Sequence, residues 1–387
     1  MDPKEFTASA PGRVIRAAAG YPAFIPNPLP PELSWTPDIV SRLSRADRAL
    51  GELSGIGRAL PNPHLLILPF ARREAVLSSR IEGTQASLSD LFAFEASQRS
   101  EDTSDVREVF NYVRALEYGL ARVKDLPVSL RLIREIHEKL MQGVRGEHST
   151  PGEFRRSQNW IGPPGCLLND ATFVPPPVDE MRTCLDAFEL FLHSKSDIPP
   201  LVQLAVIHYQ FEAIHPFLDG NGRVGRLILV MLLCLRQLLS EPLLYLSAYL
   251  EAHRQEYYEL LLSVSQRGAW KEWVLFFLEG VESQARDAVQ RSRRIQDLRT
   301  EYRTRFQTTQ ASAKLLQVVD LLFGAPVVTV SQVKEAVGVT FPSASRYIAQ
   351  LEEAGIVKEI TGQARNRLYR ASEIIRAIEG PLEEDVA

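Results

Sequence analysis

The chain is predicted to be mainly α-helical, with one small β-hairpin inside a helical core and a C-terminal module of three short helices closed by a β-wing. Three observations lead there. From Pro37 onward, apolar residues recur at helical spacing in long stretches broken only by short Pro/Gly segments. Between Thr150 and Pro177, two β-prone runs, Asn159-Trp160-Ile161 and Thr172-Phe173-Val174, stand among turn residues. After Glu282 the composition shifts to a basic, polar helix and then to short amphipathic segments. A length of 387 residues gives material for two or three domains. The expected divisions are an N-terminal arm with helices (1–103), a core (104–290), a linker helix (291–310) and the C-terminal module (311–387).

In chain order, residues 1 to 35 are Pro- and Gly-punctuated and are expected to wrap the surface as an extended arm. Helices are expected over 37–60, 70–81, 104–123, 128–142, 178–195 and 199–213. In the second of these, Phe70, Val76, Leu77 and Ile81 form an apolar stripe, and Gly83 suits its C-terminal stop. The run from Val224 through Leu233 reads as a buried helix. In the C-terminal module, helices are expected at Ala313–Leu322, Val330–Val337 (with Ser331 as its cap) and Pro342–Ala354. Ile356–Ile360 and Arg367–Arg370 then flank Thr361-Gly-Gln as strands. Three helices and a wing resemble a winged helix-turn-helix.

Composition excludes several classes. A net charge of −4 and a pI near 6.1 give no global attraction to nucleic acid or anionic membranes. Cys166, Cys184 and Cys234 are an odd number without CxxC spacing, so neither a zinc knuckle nor a disulfide framework is indicated. Met1-Asp-Pro-Lys-Glu lacks the pattern of a secretory signal, and Leu227–Leu235 is shorter than the ~20 apolar residues a bilayer requires. The expectation is a cytoplasmic protein without a membrane segment.

The chemistry concentrates in His215-Pro-Phe-Leu-Asp-Gly-Asn-Gly-Arg-Val-Gly-Arg226. His215 can act as a general base near neutral pH. Asp219 offers the hard oxygens that Mg²⁺ prefers when it also binds phosphates. Gly220, Asn221, Gly222 and Gly225 let the backbone approach an anion at the start of the buried helix, where aligned N–H dipoles favour phosphate. Arg223 and Arg226, one turn apart, can reach the same polyphosphate. Base, metal ligand, anion cradle and clamp together suit nucleotidyl or phosphoryl transfer. The same segment, taken piecemeal, is also a Gly-rich loop capping a helix. No GxxxxGK[ST] occurs, so a Walker loop is excluded.

The segment HPFLDGNGRVGR resembles the signature of the Fic (Fido) family of AMP transferases. That resemblance implies a Fic-type all-α core that moves AMP from Mg²⁺-ATP to a hydroxyl on a protein. It implies His215 as the base for a Ser, Thr or Tyr hydroxyl and Asp219 as the Mg²⁺ ligand. Asn221, Gly222 and Arg223 would serve the α and β phosphates, and Arg226 the γ-phosphate. A relative with Lys where this chain has Gly222 is a kinase that binds ATP reversed, so Gly222 favours AMP transfer.

Ser78-Ser-Arg-Ile-Glu82-Gly83 resembles the family's inhibitory pattern, in which the glutamate pairs with the arginine matching Arg226. Alone, the pattern also fits a solvated Glu at a helix end. The Thr150–Pro177 stretch resembles the family's flap, against whose edge target segments align by strand addition; Ile161, Thr172, Phe173 and Val174 are the expected contacts. Tyr249 and His253 fall where family members border the nucleoside, although aromatic residues at helical spacing are more often core packing, and relatives commonly have Asn where His253 stands.

The expected partners are ATP and a target protein, with a second copy of this chain as a candidate for both self-modification and dimerisation. Residues 311–387 carry eight Lys/Arg against ten Asp/Glu, with Glu383-Glu-Asp385 at the end, so DNA binding through Ser343, Arg346, Arg365, Arg367 or Arg370 ranks below protein docking. Two alternatives stay open: a hydrolase that removes AMP from modified proteins, and a DNA-binding regulator with a nucleotide-sensing core.

Overall fold

A Pro-rich start offers few N–H donors for a helix, and the N-terminal residues include a two-stranded sheet whose second strand is buried. A computed structural model describes residues 1–60, 62–97, 104–144, 150–308 and 312–381. Strand β1 (Gly12–Arg16) pairs antiparallel with β2 (Pro22–Pro26), Val14 opposite Phe24. This corrects the expected extended arm. Gly20, at φ 89°, permits the reversal, and Pro22 and Pro26 stand at the strand ends, where proline is tolerated.

Helix α1 (Pro37–Ala59) opens on Thr36, whose hydroxyl accepts from the Ile39 N–H, with Pro37 in its first turn. Ile39, Ala46, Ala49, Leu50 and Leu53 form its buried face, packed on α11. Helix α2 (His64–Ile81) begins earlier than the expected 70. Pro69 sits inside it, and burial of Leu66, Pro69 and Phe70 offsets the hydrogen bond proline cannot donate. Its end follows expectation: Glu82 is the C-cap and Gly83 takes φ 101°. Helix α3 (Leu88–Ser97) was not foreseen.

Helices α4 (Ser104–Arg122), α5 (Leu130–Leu140), α6 (Val178–His193) and α7 (Pro200–Ile214) lie where the periodicity places them. Helices α7 and α8 (Asn221–Leu235) are apolar around most of their circumference and form the centre of the core. Helices α9 (Ser247–Ala252) and α10 (Arg254–Arg267) lead to α11 (Trp270–Thr308), 39 residues and about 58 Å long. The expected linker is thus the second half of a continuous helix.

Beyond it come α12 (Ala313–Gly324), β3 (Val327–Val328), α13 (Val330–Val337), α14 (Phe341–Glu353), β4 (Lys358–Glu359), β5 (Tyr369–Arg370) and α15 (Ser372–Glu379). The strands form an antiparallel sheet in the order β3-β5-β4. Strand β3 and helix α15 add to the expected elements. The cap of α13 is Thr329 rather than Ser331: its hydroxyl accepts from the Gln332 N–H, and Gln332 reaches back to the Thr329 N–H. Glu383-Glu-Asp385 lies outside the described residues.

One contiguous core joins α1, α2, α4 to α8, α11 and the C-terminal helices. Helix α2 touches α4, α8 and α9 on one side and α12 and α15 on the other. Among the described residues, no helix is long and apolar enough to cross a membrane.

Candidate active site

The loop between α7 and α8 carries the chemistry, and four segments hold it. His215 ends α7 in the left-handed conformation, φ 49° and ψ 61°. A non-glycine residue there costs about 1–2 kcal/mol, so its surroundings must enforce it. Two side chains grip its carbonyl: Arg155 Nε at 3.0 Å and Asn159 Nδ2 at 3.1 Å. The imidazole Nδ1 lies 3.2 Å from the Glu212 carbonyl, so Nδ1–H donates there and Nε2 keeps its lone pair. Burial depresses the His215 pKa to about 4, which leaves the ring neutral at physiological pH.

The loop is closed from below by Asn221. Its Oδ1 accepts from the Phe217 N–H at 2.8 Å, and its Nδ2 donates to the Phe217 carbonyl at 2.8 Å. With the side chain so committed, Asn221 offers an anion its backbone N–H. His137 of α5 holds the next carbonyl. Its Nδ1 accepts from the Gly152 N–H at 2.9 Å, so Nε2–H donates to the Asp219 carbonyl at 3.0 Å. The ring stacks on Phe217 at 3.8 Å, and burial lowers its pKa to about 4.

Gly220, at φ 78°, is the N-cap of α8 and supplies no side-chain acceptor. The first-turn N–H groups of α8 are therefore open to an anion. Arg223 is buried, 3.3 Å from Glu108 and 3.6 Å from Asp219. Arg226 is also buried: its Nε donates to Ser78 Oγ at 2.7 Å, and Nη2 to the Ser78 carbonyl at 3.0 Å and Glu82 Oε1 at 2.7 Å. Burial alone would raise the Glu82 pKa, but Arg226 and then Arg223 outweigh it and hold it below the usual range. Gly222 lies across this pair, and a Cβ there would stand 2.5 Å from Glu82 Oε1 and 3.0 Å from Arg226 Nη1. Gly225 is packed as closely, a Cβ there falling 2.5 Å from Glu212 Oε1. Glu212 is buried behind Arg226, and burial pushes its pKa up to about 8.

Asp219 is the metal candidate. Its side chain is 49% exposed, and Oδ1 accepts from the Gly220 N–H at 2.6 Å. Among the described residues, no group of three or more His, Cys, Asp or Glu side chains could hold a metal by itself. A single accessible carboxylate fits Mg²⁺, which takes its remaining ligands from phosphates and water.

The stretch expected to form a flap holds a single bridge: the Ile161 N–H donates to the Phe173 carbonyl at 2.8 Å, and the Phe173 N–H to the Ile161 carbonyl at 3.0 Å. Ile161 and Thr172 are exposed; Phe173 and Val174 are buried, Phe173 against Phe24. The Val174 carbonyl already accepts from the Phe24 N–H. Tyr249 and His253 lie with ring centroids 4.2 Å apart, tilted by 33°, beside Phe276, and the charges around Tyr249 are Glu279, Glu256 and Arg42. The aromatic residues that sense Glu82 and Arg226 are Tyr257 and the half-exposed Tyr258.

Sequence reasoning passed over His137, Arg155, Asn159 and Glu212. His137 left a signal, a histidine on the apolar face of α5 beside Ile133, Ile136 and Leu140. Arg155 left none, because a buried arginine reads in sequence like any surface one.

A helical core presents His215 ahead of an uncapped helix N-terminus, with Arg226 inside that helix, an arrangement the resemblance to the Fic family implies. Residues 40–121 match the Fic/DOC family N-terminal model and residues 127–233 the Fic/DOC family model. The chain thus carries a Fic/DOC N-terminal domain and a Fic/DOC domain over those residues. It is 29% identical over 211 residues to Protein adenylyltransferase Fic of Drosophila willistoni, covering 51% of this chain and 40% of that protein. It is 28% identical over 253 residues to the protein of that name from Aedes aegypti, covering 62% of this chain and 46% of that one. The chain thus spans less than half the length of these two relatives. In fold it is similar to a Fic family protein from Desulfovibrio desulfuricans G20, with a TM-score of 0.57 at 20% identity, covering 89% of this chain and 98% of the other.

Proposed function

We propose that this protein transfers AMP from ATP to a Ser, Thr or Tyr hydroxyl of a protein, and that Glu82 restrains the reaction. The observation that carries this reading is the Glu82–Arg226 pair, 2.7 Å apart across the start of α8 and beside a neutral His215. The name of the two relatives supports the reaction type.

His215 Nε2 takes the proton of the target hydroxyl, whose oxygen attacks the α-phosphorus in line. The new phosphorus–oxygen bond forms as the bond to the β-phosphate bridge breaks, and pyrophosphate leaves. The open N–H groups of α8 and the Arg223 guanidinium stabilise the charge that builds on the phosphates. Asp219 would hold Mg²⁺ together with phosphate oxygens, and bound there the ion neutralises phosphate charge. Arg226 receives the γ-phosphate once Glu82 withdraws.

Since Ile161 spends its backbone groups on Phe173, the groups of Trp160 and Gly162 face the open edge, where a target strand can pair. Tyr258 offers the half-exposed ring for the base. A second copy of the chain is a target as well as a dimer partner, in a cytoplasmic setting, and the C-terminal module serves protein docking ahead of DNA.

One observation favours a second reading, a hydrolase of AMP-modified protein. The Glu82 side chain is 33% exposed and bonds Arg226 through Oε1, so Oε2 can orient a water.

Wild-type, Glu82→Gly and His215→Ala proteins incubated with α- or γ-labelled ATP and Mg²⁺ distinguish the readings. Transfer predicts α-label on protein, strongest in Glu82→Gly and absent in His215→Ala. Label from the γ position would mean a kinase. Release of AMP from a modified protein, without labelling, would establish the hydrolase.

A further inference from the structure

Arg155 is 1% exposed and, among the described residues, forms no ion pair. Burying a guanidinium without a counter-ion is costly, and burial lowers its pKa to about 10. Such a group persists where its donors are spent on strong acceptors in fixed places. All three of its nitrogens donate to backbone carbonyls: Nε to His215 at 3.0 Å, Nη1 to Ser157 at 3.3 Å and Nη2 to Pro176. Its own N–H donates to the Pro216 carbonyl at 2.9 Å.

The three carbonyls belong to different structures. Ser157 precedes the first flap run, Pro176 follows the second, and His215 is the proposed base. Asn159, two residues on, adds Nδ2 bonds to the His215 carbonyl at 3.1 Å and the Phe217 carbonyl at 2.8 Å. The His215 carbonyl therefore receives two side-chain donors from the flap while its backbone stands in the left-handed region. Neither donor touches the imidazole or reaches α8, where the phosphates would bind.

We propose that Arg155, assisted by Asn159, is a positioning residue for AMP transfer: it locks the backbone of His215 in its left-handed conformation and ties the base and the flap into one rigid unit. This rests on the reading of His215 as base. The coupling fixes the distance between target edge and proton acceptor, so a hydroxyl delivered along the flap arrives where Nε2 can accept its proton. Planar Arg supplies three divergent donors that Lys cannot reproduce.

The test uses the full chain in the Glu82→Gly background with Arg155→Met, Arg155→Lys and Asn159→Ala added singly. Steady-state AMP transfer is measured alongside ATP affinity by calorimetry and hydrogen exchange by mass spectrometry. Arg155→Met is expected to lower kcat by about 100-fold, the scale of a misplaced catalytic group, with ATP affinity within about threefold. Arg155→Lys and Asn159→Ala are expected to lose less. Exchange should rise together in peptides covering 157–176 and 211–217. Should Arg155→Met fail to fold, Arg155→Lys carries the test, with the same split between kcat and affinity.

Unchanged kcat in the folded variants, or kcat and ATP affinity falling in parallel, would overturn the proposal. So would exchange rising in only one of the two segments. If the Glu82→Gly parent transfers no AMP, the reading of the reaction fails, while the exchange pattern still decides whether Arg155 joins flap and loop.

Discussion

At the scale of the residue, the decisive feature is Arg226, a buried cation with acceptors on one side and an open helix start on the other. Ser78 Oγ accepts from Arg226 Nε at 2.7 Å, and both groups are buried. Replacing Ser78 with Ala leaves a charged donor without its acceptor, and a loss of about 1.5–3 kcal/mol is expected. Chemical denaturation checks it; an unchanged midpoint and slope would mean that water or Glu82 takes over the bond. Gly225→Ala tests packing behind the same arginine. A methyl 2.5 Å from Glu212 Oε1 and 3.3 Å from His208 Cε1 must displace buried groups, at a cost of about 1–3 kcal/mol. Most of this was legible from sequence, because His215, Asp219, Gly222, Arg223 and Arg226 are local in the chain. Glu82 was legible only through the resemblance of Ser78–Gly83 to the family's inhibitory pattern, since the spacing alone also fits a solvated Glu at a helix end. Arg155, Asn159 and His137 were not, since each acts on a carbonyl 56 to 82 residues away.

At the scale of the element, periodicity located the long helices well and the short pieces poorly. Helices α1 and α4 to α8 are long enough to show a repeating apolar face or an unbroken apolar run. Strand β3, two residues long, has no period to read, and it becomes sheet only by pairing with β5. The β1–β2 hairpin was read as an arm because its prolines suggested extended structure; they stand instead at the ends of paired strands. The two β-prone runs do pair, Ile161 with Phe173, but reading Phe173 and Val174 as contacts ignored what lies on the far side of their strand, the β2 residues Phe24 and Ala23. The capping of α13 offers a clean test of local control. Thr329→Ala removes the reciprocal pair with Gln332 and is expected to cost about 1 kcal/mol, whereas Ser331→Ala, inside the helix, should gain a few tenths. Equal losses by thermal melts would put the helix start at Ser331 after all.

At the scale of the molecule, burial keeps three histidines and Glu212 neutral around the site, and this sets how stability varies with pH. Burial holds His137 and His215 at about pH 4 and His208 at about 3, against an ordinary value near 6.5. In the unfolded chain each takes a proton near 6.5, while the folded form refuses it until pH 4 or below. The unfolded state therefore binds more protons in that window, and stability falls as pH drops from about 6.5 toward 4. Glu212 works the other way: burial keeps its proton in the fold up to about pH 8, so its contribution is present at low pH and is lost as pH rises from its ordinary 4.5 toward 8. Between about pH 4.5 and 6.5 three histidines oppose one glutamate. The net is a loss on the order of 2–3 kcal/mol per pH unit on acidification from these four groups. Above 6.5 only Glu212 titrates among them, and the slope reverses. Melting temperature measured across pH 4.5 to 8 is therefore expected to peak near 6.5 and to fall more steeply on the acid side. His208→Gln, which leaves the His215 loop untouched, should flatten the acid limb by about one proton. A flat profile below pH 6.5 in the wild type would show that the folded protein admits protons to these rings, and with them the neutral His215 on which the proposed chemistry depends would be lost.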